Sequence, residues 1–477
     1  KGSVQIWKNT AGTWGRRGST IVGENYRDKF GQSVALNAAG TRVASGARGA
    51  VNGNGLGRVR VFEYNEGTTT WDLLGNNIDP VDIGETVGLT VSGSTVDYPS
   101  HGYNDNDAIK FDSGISNITN LNDYTIYYVV SKNANTFQLS STYGGSAITF
   151  AGSDDNAAVI KNFSFHTGVS IALNNDGDII AVGSPRTNAP AGAATLYKLV
   201  GSTWTKMGRS IVGHNNSGFG SSISLNGTGS TVAIGGTQGS EIGMNVANPD
   251  GGYVGIYENS GLSTTASWTQ KGPLIHAVDD ETYTIDGSTN FLTRIAHGFS
   301  DGDQIAFATI TTTTGISTYT GYYIISKTDD TFKLSTSSGG SAIGLTGDGS
   351  ATRNSGDQFG YSVSLNDTGD IVAIGAISSK NASGSSVGQV KIYKYNSVGP
   401  AWDLLDSAID GSVLNDNLGY SVALNADADG TDGNTFVAIG VPGANNSDSG
   451  HVEIYTYNGS AWSQYHADID GDTGGDK

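Results

Sequence analysis

Short segments of alternating apolar and polar residues recur along this chain, each opened by a glycine. Three examples are GRVRVFEYN from Gly57, GQVKIYKYN from Gly388 and GHVEIYTYN from Gly450. A period of two with β-branched and aromatic residues predicts a β strand. Before five such segments stand a G-x-S-[VI]-[AS]-L-N strand, a polar turn and a second strand, such as IVAIGA from Ile371. The pattern therefore predicts an all-β chain.

The tryptophans show where the repeating unit ends. Six of the seven are followed seven residues later by isoleucine, in the pairs Trp14 and Ile21, Trp71 and Ile78, Trp204 and Ile211, Trp268 and Ile275, Trp402 and Ile409, and Trp462 and Ile469. One unit is therefore predicted to be a four-stranded antiparallel meander. Because a sheet of this size cannot bury both faces alone, the units are expected to stack.

The spacing of these tryptophans predicts the domain organisation. They lie 57, 133, 64, 134 and 60 residues apart, so two of the intervals contain an insertion. The two insertions are copies of each other, because HGYNDNDAIKF from His101 matches HGFSDGDQIAF from His297. The stacked units are predicted at residues 1–78, 159–275 and 354–477, and small inserted β domains at 79–158 and 276–353.

The segment FGYSVSLNDTGDIVAIGA from Phe359 resembles the FG-GAP repeats of integrin α-subunit β-propellers and of their bacterial and viral relatives. The Phe-Gly pair recurs at Phe30 and Phe219 but is replaced by Leu418-Gly419 in the last copy. This resemblance implies a β-propeller in which each four-stranded sheet is one blade. The inserted domains are similar to small β modules of virion proteins, including tail fibres, from marine tailed phages.

The count of strands predicts five complete blades and one half-blade. The chain begins at a third strand, GSVQIW from Gly2, and it ends where the spacing after Ile469 would open another blade. Two interpretations follow. A sixth blade is completed by further residues of the chain or by a neighbouring copy, or the chain is a window of a longer array.

The turn between the first two strands of the last blade, NADADGTDGN, is a candidate calcium site. Asn425, Asp427 and Asp429 would occupy positions one, three and five, and Gly430 would allow the sharp turn that a Ca²⁺ loop needs. This arrangement resembles the calcium loops in the same hairpin of integrin propellers. The ninth position is glycine here, so Asp432 would have to provide the remaining carboxylate. The alternative is a solvated acidic hairpin.

Composition excludes several classes of function. The net charge of −19 argues against nucleic acid as a partner, because a phosphate backbone requires a positive surface. The absence of cysteine removes disulfides, thiolate metal sites and cysteine nucleophiles. No apolar run approaches the 18 residues of a membrane-spanning helix, so membrane insertion is not expected.

These observations lead to a functional hypothesis. We expect a non-enzymatic extracellular, cell-surface or virion-surface protein, a structural or adhesive building block of a fibre, appendage or surface filament. Its partners would be copies of itself or other surface or virion proteins. The alternative is a propeller module that binds glycans or a cell-surface receptor. A carbohydrate-active enzyme is a third class, but no catalytic motif was found in a suitable context.

Overall fold

The computed structural model describes residues 1–25, 28–48, 57–79, 83–86, 90–92, 94–97, 108–113, 118–122, 126–133, 135–141, 145–151, 158–161, 167–185, 192–213, 217–237, 252–259, 261–264, 267–276, 281–294, 301, 304–305, 307, 309–316, 322–336, 339–353, 357–381, 385–430, 435–443 and 449–471. Every regular element in these segments is a β strand. They include no helix of the length and apolarity needed to cross a membrane.

The chain begins with a half-blade and one complete blade. The half-blade consists of β1 (Ser3–Val4), β2 (Trp7–Thr10), β3 (Thr13–Arg16) and β4 (Ile21–Val22). Blade 1 consists of β5 (Phe30–Leu36), β6 (Arg42–Ala47), β7 (Val59–Asn65) and β8 (Thr70–Leu73). In the half-blade β2 pairs with β3 and β1 with β4, whereas blade 1 is a four-stranded antiparallel meander.

The first inserted domain follows blade 1 and contains seven strands. They are β9 (Ile83–Thr86), β10 (Thr90–Ser92), β11 (Thr95–Asp97), β12 (Ala108–Ser113), β13 (Ile126–Val130), β14 (Thr136–Ser140) and β15 (Ala158–Lys161). Their order in the sheet is β10-β11-β14-β13-β12-β15-β9.

Two blades separate the inserted domains. Blade 2 consists of β16 (Ile171–Leu173), β17 (Ile179–Ser184), β18 (Ala193–Val200), β19 (Thr203–Lys206) and β20 (Ile211–Val212). Blade 3 consists of β21 (Phe219–Leu225), β22 (Thr231–Gly236), β23 (Tyr253–Glu258), β24 (Thr269–Gln270) and β25 (Ile275–His276).

The second inserted domain contains seven strands as well. They are β26 (Glu281–Asp286), β27 (Phe291–Thr293), β28 (Gln304–Ile305), β29 (Thr309–Thr311), β30 (Tyr322–Ile325), β31 (Thr331–Ser335) and β32 (Gly349–Arg353). Their order is β28-β30-β31-β27-β26-β32-β29. Five strands have the same order in both inserted domains: β26-β27-β31-β30-β28 in the second corresponds to β10-β11-β14-β13-β12 in the first. The two sheets differ in the strand that extends this group, because β32 pairs with β26 whereas β15 pairs with β12.

Blades 4 and 5 complete the described chain. Blade 4 consists of β33 (Phe359–Leu365), β34 (Ile371–Ala376), β35 (Gln389–Asn396), β36 (Ala401–Leu404) and β37 (Ile409–Asp410). Blade 5 consists of β38 (Ser421–Leu424), β39 (Thr435–Val441), β40 (His451–Tyr457), β41 (Trp462–Gln464) and β42 (Ile469–Asp470).

The repeated Trp and Ile lie on two separate strands that pair with one central strand. In blade 4, Trp402 on β36 pairs with Tyr395, and Ile409 on β37 pairs with Val390 at the other end of β35. Blades 2 and 5 have the same arrangement, and in blade 3 Trp268 directly precedes β24. The predicted fold class is confirmed: the chain is an all-β protein of antiparallel propeller blades with four strand positions, the fourth of which is divided into two short strands in blades 2 to 5. The described residues contain five complete blades, one half-blade and two inserted β domains.

A β-bulge opens the first strand of blades 1, 3 and 4. In blade 4 the register with β34 shifts between Phe359 and Ser362. Gly360 lies in this bulge at φ +84°, a left-handed conformation that glycine adopts without a steric penalty. A Cβ at Gly360 would lie 2.9 Å from the carbonyl oxygen of Tyr253 in blade 3, so the glycine also permits close packing of successive blades.

The hydrophobic core lies between successive blades. One cluster joins Val254 and Ile256 of blade 3 to Phe359 and Val372 of blade 4. Equivalent clusters join the half-blade to blade 1, blade 2 to blade 3, and blade 4 to blade 5. Both faces of an inner sheet are therefore removed from water, as the all-buried pattern of β34 shows.

The described chain separates into two compact units. One contains Lys1–Ile78, His166–Pro185 and Pro190–Lys477, and the other contains Asp79–Phe165 with Arg186–Ala189. The second inserted domain, within the first unit, has its own core that includes Tyr283, Phe307 and Phe332. The predicted limits of the inserted domains, 79–158 and 276–353, stay predictions.

Candidate functional site

The predicted calcium loop connects β38 to β39 in blade 5. Asn425 to Gly430 are described, whereas Asp432 lies outside the described residues. Asn425 follows β38 directly, and its Oδ1 accepts a hydrogen bond from the backbone N–H of Phe436 at 2.8 Å. Gly430 has φ +70°, the left-handed turn conformation that the sequence pattern predicts.

The asparagine at the start of this turn has the same role in every blade. Its side-chain oxygen accepts a hydrogen bond from the first residues of the second strand at Asn37, Asn174, Asn226, Asn366 and Asn425. Four of these turns lack the acidic insertion, so closing the hairpin is sufficient reason for the asparagine. Asn425 thus has a structural role whether or not a metal binds.

The backbone of the loop is held by blade 4. The Asn366 amide donates to the carbonyl of Ala428 at 2.7 Å, and the Lys394 ammonium donates to the carbonyl of Asp429 at 2.8 Å. Asp427 and Asp429 are exposed. Within the described residues these two aspartates do not belong to a group of three or more carboxylate or histidine ligands. Calcium binding by Asn425, Asp427, Asp429 and Asp432 stays a prediction.

A serine hydroxyl joins each blade to the next. The serine of the G-x-S strand donates to the carbonyl of the equivalent glycine in the following blade, from Ser33 to Gly168 at 2.6 Å, Ser170 to Gly220 at 2.8 Å, Ser222 to Gly360 at 2.7 Å and Ser362 to Gly419 at 2.7 Å. The second strand of the same blade needs a glycine beside this bond, because the carbonyl of the next blade approaches it closely. A Cβ at Gly375 would lie 2.1 Å from the carbonyl oxygen of Gly419.

The tryptophans form a second set of bonds between blades. Each indole N–H donates to the carbonyl three residues after the preceding tryptophan, from Trp71 to Arg17, Trp204 to Leu74, Trp268 to Met207, Trp402 to Lys271 and Trp462 to Leu405, at 2.8 to 3.1 Å. The structure thus gives these side chains a packing role. Trp14 has no preceding blade among the described residues and is 65% exposed.

The turns between first and second strands form a third set. Ala38 N–H donates to Asn175 O, and the next three bonds run from Asn175 to Gly227, from Gly227 to Asp367 and from Asp367 to Ala426. These backbone bonds connect blades 1 to 5 in order. Together with the serine and tryptophan bonds, they define one recurrent blade interface.

Blade 5 has the same donor and acceptor positions on its outer face, but they are exposed. Ser421, the equivalent of Ser222, is exposed, and its hydroxyl has no hydrogen-bond partner among the described residues. Ile469 is 59% exposed, whereas Ile409 at the equivalent place in blade 4 is 6% exposed. Tyr465, three residues after Trp462, is 50% exposed. We call this surface the outer face of blade 5.

The sequence reasoning missed one cluster of polar side chains on blade 5. His451 and Glu453 on β40 lie near Asp468, immediately before β42. Burial, followed by the neighbouring Glu453 and Asp468 carboxylates, raises the pKa of Tyr455 well above its ordinary value. An alignment of the blades within the sequence was the available signal, because this combination of residues occurs in one blade only.

Comparison with known proteins shows distant likeness alone. No protein-family model matches the sequence, and no curated protein is detectably similar to it. Among solved structures, a candidate 6-phosphogluconolactonase from Bacteroides uniformis ATCC 8492 is 9% identical, with 97% of this chain and 90% of that chain covered and a TM-score of 0.35.

Two further structures are similar at the same level. Sqt1 from Chaetomium thermophilum is 13% identical, with coverage of 92% and 72% and a TM-score of 0.34. The periplasmic gluconolactonase PpgL of Pseudomonas aeruginosa is 7% identical, with coverage of 98% and 92% and a TM-score of 0.32. Similarity this distant carries no argument about activity, and the fold assignment rests on the strand pairing described above.

Proposed function

We propose that this chain is a non-enzymatic structural building block of an extracellular or virion-surface fibre or filament, assembled by stacking blades of successive copies. The observation that supports it is the repetition of one interface. The serine, tryptophan and turn bonds recur between blades, and their positions are presented again on the outer face of blade 5.

A second copy of the chain fits this outer face through its half-blade. Each blade tryptophan donates to the carbonyl three residues after the preceding one, so the next acceptor in the series is the carbonyl of Tyr465. Trp14 of a second copy is the donor that continues the series. Trp7 of the same half-blade is 51% exposed, and the Ile469 side chain provides apolar surface opposite.

Charge also favours this head-to-tail arrangement. Lys8 and Arg16 are exposed on the half-blade, whereas residues 411–471, which include blade 5, contain several aspartates and no lysine or arginine. In a chain of net charge −19, a basic end opposite an acidic end favours one orientation of contact. The acidic, cysteine-free composition suits a protein exposed to a salty extracellular medium.

Sedimentation velocity and negative-stain electron microscopy of the purified chain over a range of concentrations test the proposal. We expect concentration-dependent linear oligomers that weaken in Trp14→Ala and in Ile469→Lys. Val398→Lys, at a residue that is 95% exposed in blade 4, is the control for added charge. A chain that stays monomeric at all concentrations, or oligomers that neither variant affects, would contradict the proposal.

A second candidate function, glycan or receptor binding, is favoured by a cavity beside blade 4. The cavity has a volume of about 500 Å³, and its lining includes Gln389, Lys391, Asp403 and Trp402. The polar groups of Gln389, Lys391 and Asp403 are suited to hydrogen bonds with sugar hydroxyls. Reproducible binding on a glycan array, lost in Lys391→Ala, would favour this function over the filament.

A further inference from the structure

Three ligand-type side chains converge on one side of blade 5 because of its strand pairing. His451 and Glu453 are two residues apart on β40 and therefore point to the same face of the sheet. The short strand β42 pairs with the start of β40, where His451 is opposite Asp470. This pairing brings Asp468 beside the histidine.

The distances bring three potential metal-ligand atoms close together. His451 Nε2 is 3.0 Å from Glu453 Oε1 and 4.0 Å from Asp468 Oδ2, and the three ligand atoms all lie within 4.8 Å of one another. A tetrahedral Zn²⁺ separates its nitrogen and oxygen ligands by about 3.4 Å, given bonds of about 2.0 to 2.2 Å. The two distances to Nε2 bracket this value, so side-chain shifts of less than 1 Å suffice.

Supporting hydrogen bonds orient both carboxylates. Tyr455 donates its hydroxyl proton to Glu453 Oε2 at 2.9 Å, and the Gln464 amide donates to Asp468 Oδ1 at 2.5 Å. Each carboxylate therefore has one oxygen engaged by a neighbour and the other oxygen directed at His451. Metal-binding carboxylates are commonly held by such outer hydrogen bonds.

The environment of the imidazole supplies a separate observation. The His451 side chain is 6% exposed, and its Nδ1 atom is buried with no hydrogen-bond partner among the described residues. Two carboxylate groups and one imidazole nitrogen converge beside this buried ring, and a divalent cation is a partner that all three can share.

We propose that His451, Glu453 and Asp468 bind Zn²⁺. One imidazole nitrogen and two carboxylate oxygens suit zinc better than calcium, which takes oxygen ligands. Asp468 is 38% exposed, which leaves an entry path and a fourth position for water. Zinc at Nε2 requires the ring proton at Nδ1, for which the described residues offer no acceptor, so the affinity is expected to be micromolar rather than nanomolar.

The combination of ligands is absent from the other blades. At the three equivalent positions blade 1 has Arg58, Arg60 and Asn77, blade 2 has Ala193, Thr195 and Ser210, blade 3 has Tyr253, Gly255 and Leu274, and blade 4 has Gln389, Lys391 and Ala408. Blade stacking therefore does not require a histidine and two carboxylates at this place. Their convergence in blade 5 calls for a reason other than the fold.

Isothermal titration of the chelator-treated chain with ZnCl₂, together with visible absorption of the Co²⁺ form, tests the site. We expect one ion per chain and cobalt bands typical of a four-coordinate site. Asp468→Asn and His451→Gln should weaken binding at least tenfold. Tyr455→Phe, which removes only the supporting hydrogen bond, should weaken it by about 10-fold.

The controls are His466→Gln, at an exposed residue of the same blade, and Asp176→Asn, at an exposed residue of blade 2. Both should bind zinc as the parent does. Absence of binding, or equal affinity in the parent, His451→Gln and Asp468→Asn, would overturn the proposal, as would an equal loss in the controls. If His451→Gln fails to fold, Asp468→Asn still decides, because its partly exposed side chain makes it a mild substitution.

Discussion

The serine bond between blades predicts a difference in stability between two chemically identical substitutions. Ser222 is 8% exposed and donates to the buried carbonyl of Gly360 in the next blade at 2.7 Å. Ser421 has the same place in blade 5 but is exposed, and no following blade is present among the described residues. We expect Ser222→Ala to destabilise the chain and Ser421→Ala to leave its stability unchanged.

The magnitude follows from what each alanine leaves behind. Removing the Ser222 hydroxyl leaves the carbonyl of Gly360 buried without its donor, which costs about 1–3 kcal/mol. Ser421→Ala removes a hydroxyl that water already solvates, so its effect should stay within about 0.5 kcal/mol. Both substitutions change strand propensity equally, and this contribution cancels in the comparison.

Urea unfolding followed by far-UV circular dichroism and tryptophan fluorescence measures the difference. With a denaturant slope of about 3 kcal/mol/M, the midpoint of Ser222→Ala should fall by roughly 0.3–1 M. Equal midpoints for the two variants would refute the reasoning that this hydroxyl stabilises the blade interface. A loss in Ser421→Ala that disappears on dilution would instead indicate that a second copy covers the outer face of blade 5.

Three further predictions concern other residues. Gly375→Ala should lower the free energy of unfolding by several kcal/mol, as in a strongly overpacked core, because the added Cβ meets the backbone of the next blade. Gly440→Ala is the control, since the nearest atom there is the movable Ser421 hydroxyl, and equal melting temperatures of the two variants would contradict the prediction. If calcium binds, a chelator should lower the melting temperature and Asp427→Ala should abolish that response. Hydrogen bonds from Ser288 and then Thr289 lower the pKa of Asp286 to about 2. The stability that these bonds contribute is therefore complete above about pH 3.8 and lost as pH falls towards 2. Over that range the urea midpoint of Asp286→Asn should decline less with falling pH than that of the parent chain.

The local architecture could be predicted from the sequence because it depends on local patterns. Alternating residues predicted the strands, and the fixed interval between Trp402 and Ile409 corresponds to two strands that pair with opposite ends of β35. The bonds between blades could not be predicted in the same way. Ser222 and Gly360 are 138 residues apart, and their contact depends on how two separate sheets pack.

The candidate sites show the same limit. The acidic turn could be predicted because Asn425, Asp427 and Asp429 lie at alternate positions of one short segment. The role of Asn425 in closing the hairpin depends on its hydrogen bond with the N–H of Phe436 in the next strand, which the sequence pattern does not contain. The cluster of His451, Glu453 and Asp468 spans two strands, so no single segment of the sequence contains its pattern.

Repetition separates the residues that build this array from the residues that do something else. A serine, glycine, tryptophan or asparagine found at one place in successive blades is explained by the interface, as its hydrogen bonds show. A residue that departs from the repeated pattern is not explained by the interface. Burial of His451 and Glu453, which have no equivalent in the other blades, costs stability. A binding activity of this chain should therefore be sought where a blade departs from its neighbours. Blade 5 departs twice, in its acidic turn and in its histidine cluster.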